Sequence, residues 1–188
     1  MIKFVFHGGA TRKPLEGNKR FFAEMVRGLR EPIKILNVYF AREESRWNEA
    51  MEDDKQNFRN AAPNIKMEFS LANPESFVTQ VKDVGVVYVR GGSTPLLKKA
   101  FEPFSQFLTL LDGKVYGGSS AGADVLAKYY CSRESDEILE GLGLLPIKVF
   151  PHYDESEREK LEKLKAWKED LPTYTIAEGE YFIYKNRF

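Results

Sequence analysis

The sequence predicts an α/β protein with a mostly parallel sheet, flanked by helices on both faces and closed by a C-terminal hairpin. Three observations predict it. Compact apolar runs recur without the in/out alternation of a half-exposed sheet, as in strands buried on both faces. Stretches with helical apolar spacing separate them, and strand–helix alternation requires parallel pairing through crossovers. Several runs end in small-residue turns, His7-Gly8-Gly9, Arg90-Gly91-Gly92 and Gly117-Gly118.

The elements follow in order. Ile2 to Phe6 is a first strand delivering the chain to a tight glycine turn. Asn18 can cap a helix to Leu29, along which Phe21, Phe22, Met25 and Val26 recur at helical spacing. Ile33 to Phe40 is a second strand, and the charged stretch from Ala41 to Asn60 a solvated helix with Trp47, Met51 and Phe58 inward. Ile65 to Phe69 is a strand, and Asn73-Pro74 opens a short helix ending near Val81. Val84 to Val89 is the most hydrophobic strand; a helix from Pro95 to about Leu111 follows its turn. Val115-Tyr116 is a strand that breaks at two glycines into a helix expected to reach Tyr129. Cys131 to Gly143 reads as loop, Leu144 to Phe150 as a strand leading to Pro151-His152, and Glu155 to Trp167 as an amphipathic helix. Tyr174 to Ala177 and Tyr181 to Tyr184, joined by Glu178-Gly179-Glu180, form the expected hairpin.

Composition narrows the function classes. The 188 residues suit one domain, with neither repeat nor linker, large enough for a real core. Basic and acidic residues balance at 28 each, so charge favours neither nucleic acid nor an anionic membrane as partner. No segment approaches the ~18 uninterrupted apolar residues of a membrane span. The single cysteine, Cys131, excludes an internal disulfide and a multi-cysteine zinc site. Met1 to Phe6 lacks the length of a signal peptide, so a cytoplasmic location is expected. No metal or other cofactor is expected, and the sequence leaves the oligomeric state open.

Within the chain, Gly118-Ser119-Ser120-Ala121-Gly122 fits G-x-S-x-G, the nucleophile elbow. A nucleophile on a sharp strand-to-helix turn sits in strained backbone, and tiny residues two positions away avoid a clash. The spacing selects Ser120, because centring on Ser119 would put Ala121 at the closing glycine. A serine hydroxyl needs an adjacent base, and the base an orienting acceptor. His7 and His152 are the two histidines; His152, at a predicted strand end, is the expected base, and His7 ranks behind it in a His-Gly-Gly turn. Glu134, Asp136 and Glu137 are candidates for the carboxylate, and spacing does not choose among them. Oxyanion donors would be the Ala121 N–H and one from Gly91-Gly92.

These residues resemble the peptidase E (aspartyl dipeptidase) and cyanophycinase group of serine peptidases, which share the flavodoxin-like fold of class I glutamine amidotransferases. Three segments carry the resemblance in the family's order. Arg90-Gly91-Gly92-Ser93-Thr94 resembles its glycine-rich turn, Gly118 to Ala123 its elbow, and Leu145-Pro146 to Pro151-His152-Tyr153 its strand ending in Pro-His. The resemblance implies Ser120 as nucleophile, His152 as base, Asp136 as third member and Gly92 with Ala121 as oxyanion donors. It also implies a basic residue for an N-terminal aspartate, with Arg158 the candidate. Arg90 and Ser93 replace a glycine and an asparagine of the family turn, and Asp124 stands where asparagine is usual. Facing the pocket, Asp124 would repel an acidic substrate.

The expected function is therefore a serine hydrolase cleaving a dipeptide or small amide through an acyl-enzyme. A non-catalytic binding or interaction protein on the same fold is the alternative. Glutamine amidotransferase chemistry ranks lower because the only cysteine is displaced from the elbow. An α/β-hydrolase using His7-Gly8-Gly9 as its oxyanion loop also ranks lower, since more than a hundred residues separate that loop from Ser120.

Overall fold

The computed structural model describes residues 1–104 and 106–186. The chain runs β1 (Ile2–His7), α1 (Glu16–Val26), β2 (Ile33–Val38), α2 (Trp47–Ala61), β3 (Met67–Leu71), α3 (Phe77–Lys82), β4 (Val86–Val89) and α4 (Thr94–Phe101). It continues through α5 (Phe107–Leu110), β5 (Val115–Ser119), α6 (Ala121–Asp124), β6 (Ala127–Cys131), β7 (Ile138–Glu140), β8 (Leu145–Pro151), α7 (Arg158–Ala166), β9 (Thr173–Ile176) and β10 (Tyr181–Asn186).

A six-stranded sheet has the order β10-β1-β5-β4-β2-β3, parallel except for β10. The missing alternation has its cause here. Phe4 and Phe6 of β1 enter one core with Leu36, Val38, Val87 and Tyr116, while Val5 enters another with Ile35, Val86 and Tyr88. Phe21, Phe22 and Met25 of α1 and Phe58 of α2 seal the second core; Phe77, Leu97, Phe101 and Phe107 of α3 to α5 seal the first. Both faces being covered, every strand position favours an apolar side chain.

A second sheet, β7-β6-β8-β9, packs its Ala127, Leu145, Ile147 and Val149 into the first core. Its other side carries Tyr129, Cys131 and Phe150, which α7 covers with Leu161 and Leu164.

The architecture is the expected α/β one, and several local expectations change. Asn18 lies inside α1 and does not cap it; its amide donates instead to the Ala10 and Lys13 carbonyls of the preceding loop. The Pro95–Leu111 helix is broken after Phe101, because Pro103 cannot donate an N–H to continue it; Ser105 of that span lies outside the described residues. The elbow helix is only α6, and β6 replaces its expected continuation. Apolar residues on both faces over 125–131 suit a buried helix or a buried strand equally, and pairing with β7 and β8 decides. The expected loop over 131–143 contains β7. Finally, the C-terminal hairpin is not formed. β9 pairs in parallel with β8, whereas β10 pairs antiparallel with β1 in the other sheet. The turn between them bonds to the β1–α1 loop: the Gly8 N–H donates to Glu180 O at 3.0 Å and the Gly179 N–H to Gly9 O at 3.3 Å.

Candidate active site

Ser120 sits at the end of β5, between the ends of β1 and β4. Its φ of 51° and ψ of −111° lie outside the ordinary regions for an L-residue. The two motif glycines let the turn close. A Cβ on Gly118 would lie 2.4 Å from the Gly122 carbonyl oxygen, and one on Gly122 would lie 2.4 Å from that of Val89. The Ser120 N–H donates to His7 O at 2.9 Å, and the Tyr116 hydroxyl to Gly122 O at 2.6 Å, fixing both sides of the turn.

His152 follows β8 directly, with φ 57°, and its N–H donates to Gly8 O at 2.9 Å. Its Nε2 lies 3.0 Å from Ser120 Oγ and its Nδ1 2.9 Å from Glu178 Oε1. An Nδ1–H donated to the carboxylate leaves the Nε2 lone pair facing the serine hydroxyl. Gly9 backs the ring so closely that a Cβ there would fall 2.2 Å from Cε1. Burial lowers the His152 pKa, Glu178 opposes that, and Arg133 and Lys13 add to it. Glu178 is brought down to about 2, first by Lys13, which donates to Oε2 at 2.5 Å, then by His152 and Arg133.

Sequence reasoning missed Glu178. The turn at 178–180 looked like hairpin chemistry, yet β9 is the parallel neighbour of the strand carrying His152. Pro151 pairs with Ile176, so His152 and Glu178 stand one and two residues past paired positions. Asp136, expected at the imidazole, is instead exposed and ion-paired with Lys160 of α7. Glu134 lines the cavity before Ser120, and the Glu137 carbonyl accepts from the Ser132 N–H. Arg158 is exposed at the start of α7 and lines neither cavity beside His152.

Gly91 and Gly92 both line the cavity in front of Ser120, of about 450 Å³. A Cβ on Gly91 would come within 2.9 Å of Ser120 Cβ, and one on Gly92 within 2.3 Å of Ala41 O. Arg42 Nε donates to Gly91 O at 2.7 Å, which fixes the plane of the peptide that presents the Gly92 N–H. The Ala121 N–H opens α6 with no backbone acceptor among the described residues.

Arginine dominates the cavity wall: Arg12, Arg42, Arg90 and Arg133 face one acid, Glu134. Arg90 is buried and held by Asp54 at 3.1 Å and the Ala50 carbonyl at 2.9 Å. Arg12 pairs with Glu49 and Asp53, and Arg133 with Glu178. Arg42 alone of the four has no carboxylate partner among the described residues. Asp124 does not face this cavity. It is buried with Oδ2 accepting from the Thr94 hydroxyl at 3.1 Å, and burial raises its pKa well above the usual carboxylate range. His7 is buried against Phe21, accepts the Gly9 N–H at Nδ1, and burial brings its pKa down to about 4. Among the described residues no group of three or more His, Cys, Asp or Glu is placed to hold a metal ion.

A serine within reach of an imidazole whose far nitrogen meets a carboxylate is the working arrangement of serine hydrolases, and this protein is a serine-type peptidase. The chain belongs to peptidase family S51, whose family model matches residues 9–187. Among solved structures it is similar to a peptidase from an acI-B1 actinobacterium, with 22% identity, a TM-score of 0.62, and coverage of 94% of this chain and 80% of the other. A candidate peptidase E from Listeria monocytogenes EGD-e aligns over 100% of both chains with 15% identity and a TM-score of 0.65. At those identities the likeness is one of fold. No curated protein sequence matches the chain.

Proposed function

We propose that this peptidase cleaves a dipeptide or small amide through an acyl-enzyme on Ser120. One observation carries the reading: Ser120 Oγ, the two His152 ring nitrogens and Glu178 Oε1 form one hydrogen-bonded line, in steps of 3.0 and 2.9 Å. His152 Nε2 takes the hydroxyl proton as Oγ attacks the carbonyl carbon, and Glu178 stabilises the imidazolium. The Ala121 N–H, with the Gly92 N–H on the peptide anchored by Arg42, receives the oxyanion. His152 then gives its proton to the leaving nitrogen, and water repeats the sequence on the ester. This line and the strain held at Ser120 favour catalysis over a non-catalytic binding role.

The arginine-rich wall supports an acyl group that carries a carboxylate, such as an N-terminal aspartate, docked on Arg42, which has no carboxylate partner among the described residues. Asp124, buried and bonded to Thr94, raises no charge against it.

A fluorophosphonate probe is expected to label the wild type and not Ser120→Ala; equal labelling of both would remove Ser120 from the nucleophile's role. Across a dipeptide panel, hydrolysis is expected for acidic N-terminal residues, with Arg42→Met raising KM for them. Equal turnover of neutral and acidic dipeptides would reject the anionic preference.

A further inference from the structure

Glu178 is held from three directions. His152 Nδ1 and Arg133 Nη1 share its Oε1, at 2.9 and 3.2 Å, while Lys13 Nζ takes Oε2 at 2.5 Å. The cations come from different loops, Lys13 between β1 and α1 and Arg133 between β6 and β7. Their side chains are 60% and 68% exposed. Ion pairs so open to solvent contribute little to stability, so holding the fold together does not account for two cations on one carboxylate. Their position next to an imidazole does.

A carboxylate facing only a histidine lends its whole charge to the imidazolium and raises the ring's basicity. One already compensated by two cations lends less, and the cations themselves disfavour a proton on the ring. We propose that Lys13 and Arg133 are positioning residues that set the basicity of His152. They anchor Glu178 for the hydrogen bond while offsetting its charge, so the imidazole stays neutral, and able to take the Ser120 proton, in more acid solution than a bare histidine–carboxylate pair would allow. The inference deepens the function proposed above and rests on it for its catalytic meaning.

The other groups around the ring do not duplicate this role. His7, at the end of β1, is kept neutral by burial. Ser120 is uncharged, burial keeps the Cys131 thiol and the Tyr153 hydroxyl protonated, and Asp154 is exposed and bonded to the Ser156 N–H and hydroxyl. Of the other charged groups lining the two cavities beside His152, Asp136 and Glu157 pair with Lys160, Arg12 with Glu49 and Asp53, and Arg90 with Asp54, while Glu134 and Arg42 line the cavity before Ser120 and neither bonds to the ring. Arg133 also lines the nucleophile cavity, so Lys13 gives the cleaner variant.

The test is an NMR titration of the imidazole resonances, with His152→Ala identifying the second of only two histidines. Lys13→Met should raise the His152 midpoint by about half a pH unit, the size of one partly solvated unit charge a few ångströms away. Arg133→Met should raise it similarly, and Lys13→Arg should restore the wild-type value. Below the midpoint, fluorophosphonate labelling of Ser120 should slow about threefold in Lys13→Met, with the plateau at higher pH reached later by the same interval. A midpoint that stays or falls in both Met variants overturns the proposal, as does an equal shift in Lys13→Met and Lys13→Arg, which would trace the effect to contact and not to charge. The ring titration is read without turnover, so a shift in an enzyme whose Ser120 resists labelling would strike only the nucleophile assignment.

Discussion

Glu178 and Asp136 separate two demands on a carboxylate beside a histidine, namely being close in sequence and being held in place. Asp136 sits on an exposed loop and spends its charge on Lys160. Glu178 meets the ring at 2.9 Å with both oxygens occupied. Glu178→Gln keeps the shape but offers its amide to Nδ1, which disturbs the tautomer and removes support for the imidazolium. It is expected to lower kcat by roughly two to four orders of magnitude, whereas Asp136→Asn should stay within about threefold of wild type. Steady-state kinetics on any hydrolysed dipeptide decides, and the reverse ranking would return the third position to Asp136. The sequence offered Glu134, Asp136 and Glu137 and passed over Glu178, because no local pattern distinguishes a solvated charge from a half-buried partner brought in by a distant strand.

At the scale of elements, the β1–α1 loop holds the site together. Gly8 accepts the His152 N–H and donates to Glu180, Gly9 lies against the imidazole, and the His7 carbonyl receives the Ser120 N–H. Sequence showed a His-Gly-Gly turn after a strand; that it braces another strand's histidine follows only from β1 lying between β5 and β10. Gly9 has φ 108°, and a Cβ there would meet His152 Cε1 at 2.2 Å. Gly9→Ala should therefore cost on the order of 1 kcal/mol or more of stability. Its larger effect should be on chemistry: a ring displaced by an ångström lowers kcat/KM by about a hundredfold. Circular dichroism with kinetics separates the two, and a variant that is folded and fully active would refute the bracing role.

For the whole molecule, two buried groups pull stability in opposite directions with pH. The folded-state pKa of His7, about 4, lies below its unfolded value of about 6.5. Its contribution is therefore intact near neutrality and is lost as pH falls from about 6.5 toward 4, a change of about 2 kcal/mol between pH 7 and 5. Asp124 has the opposite sign. Its folded-state pKa lies well above the unfolded one, so its contribution is intact below about pH 4 and declines as pH rises. Urea unfolding followed by tryptophan fluorescence should show His7→Gln less sensitive to acid than the wild type. Asp124→Asn should gain stability over the wild type at pH 7 by more than at pH 5. An Asp124→Asn gain that is equal at both pH values would show the carboxyl to be charged in the folded protein.

What the sequence by itself determined is what leaves a mark in residue type along a short stretch of chain. The elbow is legible because a serine on so sharp a turn demands tiny residues at Gly118 and Gly122, although the atom that crowds Gly122 is the distant Val89 carbonyl, and the buried parallel strands because burial on both faces favours apolar residues. The Pro151-His152 strand end and the glycine turn at Arg90 to Gly92 belong with these. What the tertiary structure alone decided is which distant groups meet. Glu178 reaches His152 because β9 joins β8 in one sheet while β10 joins β1 in the other, which draws the turn between them across the β1–α1 loop. The arginine wall likewise gathers from four separate loops and strand ends. Such meetings are fixed by strand pairing over long separations, and no periodicity or local motif encodes them.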